Sequence, residues 1–336
     1  MLRSRKVKIG VISFEHMHGL SYARALSSIE GAELAGIADA DEDRGRRMAA
    51  VFNTEYYRDY HDLLDTEAEG VIICTNNKQH REVAVAAASC GKHVLVEKPF
   101  AVSAADAYEM VKAATVHHIR LMNAFPMRFN QNVLEAKRLI EEGSIGEILC
   151  MTGINHGKIP SGWFLDPSLS GGGAIMDHTV HLADVMRWFT GSEYRSVYCE
   201  SGELIHNKGI EDCGIVNVQF ENGVFATIDC SWAHHRNYPI WPQVDVEIVG
   251  TKGVLNLKAF GQVERIYDTE AGIIEDAVWS GSGDEGMIAE FAEVCSTGKA
   301  PVASGEDGAK ALEVALAAYE SSRTHRLQTV RHICLA

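Results

Sequence analysis

The chain has 336 residues, of which 46% are hydrophobic and 23% charged, and its formal net charge is −15. This length allows one large domain or two ordinary ones, and the acidic balance argues against nucleic acid or an anionic membrane surface as a partner. No apolar run reaches about 18 residues and the basic N-terminus has no apolar core, so we expect no membrane span and no signal peptide. The eight cysteines form no Cys-x-x-Cys pair, which is typical of buried thiols in a reducing cytoplasm.

The first 124 residues alternate between predicted strands and predicted helices. Apolar runs predict strands at 7–13, 32–39, 70–75, 94–96 and 120–124, and helices are predicted at 20–26, 43–52, 79–89 and 104–118. Short connections between elements of alternating type are typical of a parallel, doubly wound sheet with right-handed crossovers. We therefore predict an N-terminal α/β domain of the Rossmann type over residues 1–124.

From residue 125 the pattern changes. A helix is predicted at 132–142 and a strand at 145–155, and after three glycines a further helix runs to Trp188. Alternating strands follow at 215–220, 225–232 and 244–250, with a hairpin turn at Asn222-Gly223. Helices at 287–295 and 308–322 close the chain. The sequence thus predicts a C-terminal α+β domain over residues 125–336, with a large, mostly antiparallel open sheet.

Glu97-Lys98-Pro99 ends the apolar strand at 94–96. Proline lacks an N–H and restricts the residue before it to extended conformations, so the strand stops and Lys98 is held at its carboxyl end. Ligands of open α/β sheets bind at that edge. Glu97 and Lys98 are therefore predicted to lie beside a bound cofactor, and the alternative is a salt bridge on the surface.

The loop after the first strand lacks the Gly-x-Gly-x-x-Gly pattern of dinucleotide-binding domains. Ser13, Glu15 and His18 stand in the three glycine positions, with Phe14 and His16 between them. We predict that these five residues contact the cofactor, with the helix N-terminus and the histidines offsetting the charge of Glu15. A metal site at the His-x-His pair is the alternative, but a single adjacent carboxylate adds little and no metal is expected.

Polar residues also end the second and third predicted strands. Asp39 lies about 20 residues beyond the loop, where a carboxylate binds the adenosine ribose and repels a 2′-phosphate. NAD is therefore predicted rather than NADP, although Asp39 is alternatively a helix cap and Asp41 is a second candidate. The third strand and the helix after it supply residues that are predicted to line the cofactor or form a simple turn: Thr75, Asn76, Asn77 and His80.

A helix is predicted after Gly171-Gly172-Gly173. Asp177, His181 and Asp184 are spaced at i, i+4 and i+7 and share one face of it. Histidine titrates near neutrality, so His181 is suited to proton transfer beside a carboxylate. The glycines would let the helix begin close to a ligand. The alternatives are three polar residues on a solvated face, or a zinc site that includes His178, whose ligands would converge poorly.

Together these segments resemble the Gfo/Idh/MocA family of NAD(P)-dependent sugar oxidoreductases over nearly the whole chain. The resemblance rests on Gly91-Lys92-His93-Val94 before Glu97-Lys98-Pro99, on the glycine-led helix, and on Ser231-Trp232, 247–253 and 304–308. It implies a Rossmann domain followed by an α/β domain whose open sheet mediates assembly into a dimer or tetramer. It also implies that Lys98 lies beside the nicotinamide, with Asp177 and His181 completing the site. Members of the family often have a cis peptide bond between this lysine and the proline that follows it.

The predicted function is hydride transfer between a sugar or cyclitol carbon and NAD. His181 would act as general base, Lys98 would stabilise the developing negative charge on the oxygen, and Asp177 would position the substrate. Further predicted substrate-binding residues are Arg128, His156, Trp163 and His235. The alternatives are an NAD-dependent glycosidase or lyase that regenerates its cofactor by transient oxidation, and a sensor without catalysis.

Overall fold

The computed structural model describes residues 5–268, 273–278 and 281–332, with the backbone alone at 263–268 and 273–278. Cys334 lies outside these ranges. The chain divides into two compact units, which are described separately. The first comprises the residues up to Phe125 together with Asp284–Ala309, and the second comprises Pro126–Gly283 and Lys310–His332. No helix in the described ranges is long and apolar enough to span a membrane.

Strands and helices are numbered in chain order. The strands are β1 (Val7–Ile12), β2 (Ala32–Ala38), β3 (Tyr56–Tyr57), β4 (Gly70–Ile73), β5 (His93–Val96), β6 (Leu121–Asn123), β7 (Ile148–Lys158), β8 (Tyr194–Gly202), β9 (Cys213–Phe220), β10 (Phe225–His234), β11 (Gln243–Gly250), β12 (Val254–Lys258), β13 (Val263–Asp268), β14 (Ile273–Val278) and β15 (Gln328–Thr329). The α-helices are α1 (Gly19–Ser28), α2 (Glu42–Phe52), α3 (Tyr60–Leu64), α4 (His80–Ser89), α5 (Ala104–Val116), α6 (Gln131–Glu141), α7 (Pro167–Ser170), α8 (Ala174–Thr190), α9 (Asp284–Thr297) and α10 (Gly305–Thr324).

The first unit is built on a six-stranded parallel sheet in the order β3-β2-β1-β4-β5-β6. Its central strands are short apolar runs buried on both faces, as parallel strands covered by helices require. Ile12 pairs with both Ala38 and Ile73, and Ile73 pairs with Val96. The strands therefore end level, and the residues that follow them emerge at one edge. The predicted doubly wound sheet is confirmed.

Helix α9 also packs in this unit, where Cys295 and Phe291 lie against Gly70 of β4. A β-carbon added at Gly70 would lie 2.5 Å from the Cys295 Sγ, so the close approach needs glycine. The prediction assigned all of 125–336 to the C-terminal domain, whereas the structure groups Asp284–Ala309 with the N-terminal unit. Sequence patterns do not show such a return of the chain, because the contact joins residues far apart in sequence.

The second unit contains a seven-stranded sheet in the order β12-β11-β7-β10-β9-β8-β15. Its described pairs are antiparallel except for β7 and β10, which are parallel. Burial alternates along β7, β9 and β10, so one face of the sheet is packed and the other is more open. Helix α8 packs on the covered face, where the side chains of Leu182 and Met186 lie against Gly153 of β7. The predicted mostly antiparallel open sheet is confirmed.

Candidate active site

The loop after β1 donates hydrogen bonds from its backbone N–H groups to residues at the ends of the neighbouring strands. The Phe14 N–H donates to Asp39 Oδ2 at 2.9 Å, and the His16 N–H donates to the Cys74 carbonyl at 2.9 Å. Ser13 occupies a glycine position and adopts a φ of +70°, in the left-handed region that glycine favours. Its hydroxyl accepts a hydrogen bond from the Glu15 N–H at 3.0 Å. The loop therefore keeps a glycine-like turn without glycine.

Glu15 is bound to the residue that follows β4. Its Oε2 accepts hydrogen bonds from the backbone N–H and the side-chain amide of Asn76, each at 3.1 Å. The same amide also donates to Gln79. The carboxylate that was expected near the pyrophosphate is thus hydrogen-bonded by amide donors at the end of β4.

Both histidines of the loop lie beside Glu97 instead. The fully buried Glu97 carboxylate has its Oε1 3.0 Å from His18 Nδ1 and 3.8 Å from His16 Nδ1, and its Oε2 accepts from the Lys98 N–H at 2.9 Å. Burial raises the pKa of Glu97, but His16, His18 and Lys98 outweigh that effect and hold the pKa well below its usual range. Burial lowers the pKa of His18, and the facing Glu97 carboxylate raises it above its ordinary value.

Lys98 is 5% exposed, and its peptide bond to Pro99 is cis. The buried ring of His80 donates from Nδ1 to the Pro99 carbonyl at 3.0 Å, and burial lowers the pKa of His80. His80 was predicted to bind the cofactor, but its described contact supports the turn after Lys98. Lys98 is therefore held at the carboxyl end of β5 by a packed and hydrogen-bonded turn.

Asp39 is engaged in an ion pair that the sequence analysis missed. Its buried carboxylate accepts from Arg44 Nε and Nη2, each at 2.7 Å, and from the Asp41 N–H at 3.0 Å. Asp41 itself accepts from the Arg44 N–H and caps α2. A fork-shaped guanidinium is well suited to phosphate as well as carboxylate, so a positive and a negative side chain lie together at the end of β2. Only the position of Arg44 one turn into α2 hinted at this pair.

The carboxyl-terminal edge of the parallel sheet has features that fit a dinucleotide. Thr75, Asn76 and Asn77 are all buried at the end of β4, and the Asn76 Oδ1 is a buried acceptor without a hydrogen-bond partner in the described structure. A ribose hydroxyl would satisfy such an acceptor. Asp39 at the end of β2 supplies a second acceptor of the kind that binds ribose hydroxyls. The residues present therefore fit NAD.

In the second unit, the three glycines before α8 have a structural role. A β-carbon at Gly172 would lie 1.9 Å from the Tyr319 hydroxyl, and one at Gly173 would lie 2.0 Å from the Glu211 carbonyl oxygen. The Glu211 carboxylate accepts from the Gly173 N–H at 2.7 Å and from the Tyr319 hydroxyl. The glycines thus let Glu211 and Tyr319 reach the first turn of α8, where Glu211 satisfies a free backbone N–H. They were expected to admit a ligand.

Asp177 and His181 keep partial exposure on a helix whose other residues from Ala174 to Met186 are buried. Asp177 Oδ2 accepts from the Trp232 indole N–H at 3.0 Å and lies 3.2 Å from His178 Nε2. His178 Nδ1 donates to the Asn155 carbonyl, so its Nε2 can donate to Asp177 only when the ring is protonated. The donation from Trp232, in contrast, does not depend on the protonation of His178. The part of Trp232 was not predicted from the sequence.

The third residue of the predicted face has another partner. Asp184 is 1% exposed and binds Arg128 through two hydrogen bonds, from Nε at 2.8 Å and from Nη2 at 2.6 Å. The guanidinium also lies over the Trp188 ring. Arg128 was predicted to bind substrate and Asp184 to share the catalytic face, but this buried pair joins α8 to the turn before α6. We therefore leave both out of the site.

The remaining predicted substrate residues are placed differently from one another. His156 Nε2 lies 2.9 Å from Asp229 Oδ1, and its ring lies edge-on to the buried His234. Burial raises the pKa of Asp229, but His156 and Ser231 outweigh it and lower that pKa below its usual value. Trp163 stacks on Phe164, and His235 is exposed. His234, and not His235, is therefore the histidine beside His156.

The fold and the ligand edge define an NAD-binding oxidoreductase. Two family models match: "Oxidoreductase family, NAD-binding Rossmann fold" over residues 7–125, and "GFO/IDH/MocA C-terminal domain" over residues 133–256. The chain is 31% identical to the inositol 2-dehydrogenase of Salmonella typhimurium over 265 residues, covering 76% of this chain and 74% of that protein. It belongs to the GFO/IDH/MocA family, which confirms the resemblance.

Two further comparisons cover almost the whole chain. The chain is 28% identical to the myo-inositol 2-dehydrogenase of Thermotoga maritima, covering 95% of this chain and 97% of that protein. It superposes with a TM-score of 0.90 on the crystal structure of GenD2 from gentamicin A biosynthesis in complex with NAD, at 22% identity and 98% coverage of both chains. That second likeness shows the shared fold, and the NAD is that of GenD2.

Proposed function

We propose that this protein oxidises a secondary hydroxyl of a cyclitol or sugar with NAD, and that Lys98, Asp177 and His181 are its catalytic residues. The observation that carries the proposal is the partial exposure of Asp177 and His181, one helical turn apart, on a helix otherwise buried from Ala174 to Met186. A carboxylate and an imidazole left accessible on a buried helix suit a polyol substrate. The inositol 2-dehydrogenases among the relatives support a cyclitol.

Each residue has a role that its surroundings support. His181 takes the hydroxyl proton as general base, and the carbon–oxygen double bond forms as the carbon loses its hydride. Asp177 accepts a second hydroxyl, and the Trp232 N–H holds its carboxylate in place. Lys98 donates to the reacting oxygen and stabilises its growing negative charge. NAD supplies the acceptor for the hydride when it is bound.

Substrate recognition is proposed to involve His156 and Trp163. His156 is partly exposed and lies 2.9 Å from Asp229, and the partly exposed Trp163 is an aromatic ring of the kind that stacks on sugars. His234 is added to this set because it lies against His156. His235 stays a prediction, since its exposed side chain gives no further support.

A screen for NAD reduction over cyclitols, sugars and sugar acids tests the proposal. We expect reduced nicotinamide to accumulate in proportion to the substrate consumed. Lys98→Met and His181→Ala should lower turnover by about 100-fold or more, as loss of acid–base or electrostatic catalysis does, while NAD affinity changes little. Lys112→Met and His61→Ala are matched controls, because both side chains are exposed.

The outcomes separate the alternatives. Consumption of a glycoside without accumulation of reduced cofactor would instead indicate a redox-neutral glycosidase or lyase. NAD binding without turnover of any polyol would indicate a sensor. Near-normal turnover in both Lys98→Met and His181→Ala would remove these residues from the mechanism.

We further propose that the chain assembles with copies of itself through the more open face of its seven-stranded sheet. Ile215 and Phe225 are 41% and 59% exposed there, on the neighbouring strands β9 and β10. Large apolar side chains on an open sheet face favour burial against a partner. Light scattering should give a dimer or tetramer that Phe225→Lys weakens, whereas Val51→Lys, at an equally exposed site on α2, should not.

A cytoplasmic location is proposed as well. The seven cysteines in the described part of the chain are all free thiols, and four of them are buried. Disulfides are rare in a reducing compartment, so this usage is consistent with the cytoplasm. Detection of the native protein in an oxidising compartment would contradict it.

A further inference from the structure

We propose that His16, His18 and Glu97 form a binding site for a divalent transition-metal ion such as Zn²⁺. One ligand-type atom from each residue lies within 4.8 Å of the other two. The sequence offered only the His-x-His pair and predicted no metal. Folding adds a third ligand, because β5 ends next to the loop after β1 and delivers Glu97 to both rings.

The donor set matches what such ions prefer. Two imidazoles and one carboxylate form the protein part of many zinc sites that keep a fourth position open, and they also bind ferrous iron. Zinc lies about 2.0–2.2 Å from nitrogen and oxygen ligands, so tetrahedral ligands are about 3.3 Å apart. Glu97 Oε1 is 3.0 Å from His18 Nδ1 and 3.8 Å from His16 Nδ1, so small side-chain shifts would complete the geometry.

The buried pairing of His16 with the Glu97 carboxylate favours a cation in this place. The His18 N–H donates to His16 Nδ1 at 3.2 Å, and a backbone N–H can only donate. That N–H occupies the electron pair of His16 Nδ1, so an ion bound to this nitrogen would take its place, with a Glu97 carboxylate oxygen 3.8 Å away. Both atoms are buried, where water screens such a pair little. A cation between them would be attracted by both.

The ligands are also held in advance of binding. His16 and Glu97 are 2% and 0% exposed, and the Lys98 N–H orients the second oxygen of Glu97. His18 is about one-third exposed, so this side of the cluster is the one nearer to solvent. Asp284 near His18 adds negative charge, and Lys98 near Glu97 adds positive charge. The site is thus largely preformed, with one open side.

The metal would be coupled to the cofactor. The three ligands belong to the loop and strand end proposed to hold NAD, and this step of the inference rests on the proposed function. By linkage, if Zn²⁺ weakens NAD binding, NAD weakens Zn²⁺ binding by the same factor. Zinc would then act as a reversible inhibitor of cofactor loading.

The test uses the full chain after treatment with a chelator. Co²⁺ is titrated in and followed by its visible absorption, and Zn²⁺ is then used to displace it. We expect one ion per chain, and His18→Ala should weaken binding at least about tenfold, as disturbing a ligand sphere does. His61→Ala is the control, since His61 and Asp59 form an exposed pair outside the cluster. Glu97→Gln and His16→Ala should weaken binding as well.

Two results would overturn the inference. One is the absence of stoichiometric uptake at submillimolar Co²⁺ or Zn²⁺, and the other is equal affinity in wild type and His18→Ala. His18 is partly exposed, so this variant remains informative if the variants at the buried positions fail to fold. The titration needs no cofactor or substrate, so it can fail while the dehydrogenase activity stands. A repeat with saturating NAD should show weaker metal binding, and unchanged affinity would refute the coupling.

Discussion

Trp232→Phe removes the indole N–H that donates to Asp177. The indole N–H lies 3.0 Å from Asp177 Oδ2, and the indole is 1% exposed in a cluster with Ala174 and Ile210. Phenylalanine removes the donor and keeps an aromatic ring, although the smaller side chain also loses some buried contact. A hydrogen bond to a charged group contributes about 1.5–3 kcal/mol. If that contact orients Asp177 in the transition state, its loss corresponds to about 10-fold to 150-fold in kcat/KM.

The assay is steady-state kinetics on the best substrate from the screen, with thermal unfolding followed in parallel. We expect kcat to fall by about 10-fold or more while NAD affinity is unchanged and the protein stays folded. Trp188→Phe is the control, because that ring lies under Arg128 and Lys137 and has no described contact with Asp177. Activity of Trp232→Phe within about twofold of wild type, or an equal loss in Trp188→Phe, would refute the reasoning.

Three other perturbations have defined outcomes. Asp39→Asn weakens the ion pair that holds Arg44, so the ratio of NADP to NAD turnover should rise, and an unchanged ratio would exclude Arg44 as a phosphate acceptor. Gly172→Ala places a β-carbon 1.9 Å from the Tyr319 hydroxyl and should lower unfolding stability by about 2 kcal/mol or more, part of which Tyr319→Phe should restore in the double variant. Burial raises the pKa of Asp212, but three backbone N–H donors lower it overall, so its contribution to stability is present above the unfolded value of about 3.9 and is lost as pH falls through the folded value. Below about pH 4, the unfolding free energy of Asp212→Asn should therefore fall less steeply with decreasing pH than that of wild type. Identical pH dependence of the two proteins in this range would contradict this.

Local patterns sufficed for much of the fold. The apolar runs that became β1, β2, β4 and β5 were predicted because buried parallel strands require continuous hydrophobic sequence. Ser103 caps α5 as predicted, whereas α2 is capped by Asp41 and not by Asp39, the cap that the sequence suggested. The i, i+4 spacing of Asp177 and His181 followed from helical geometry alone. In each case the information lies within a few residues.

The partners of the polar side chains needed the folded chain. Glu15 binds Asn76, which is 61 residues away, and His18 binds Glu97, which is 79 residues away. Asp184 was expected on the catalytic face but pairs with Arg128. A charged side chain pairs with a group that the fold places near it, and the spacing of residues in the sequence does not show which groups those are.

The identity of the histidine beside His156 also could not be predicted from sequence spacing, although it depends on a single strand. His235, the residue after β10, was predicted from the sequence to bind substrate, whereas His234 lies beside His156. The pairing of β10 with β7 shifts between Ser231 and His234, so that His234 pairs with Lys158. An irregularity of one residue exchanges the two faces of a strand. The sequence by itself determined most of the strands and helices and the class of cofactor, because these depend on local pattern, whereas strand register and long-range contacts decided which side chains meet.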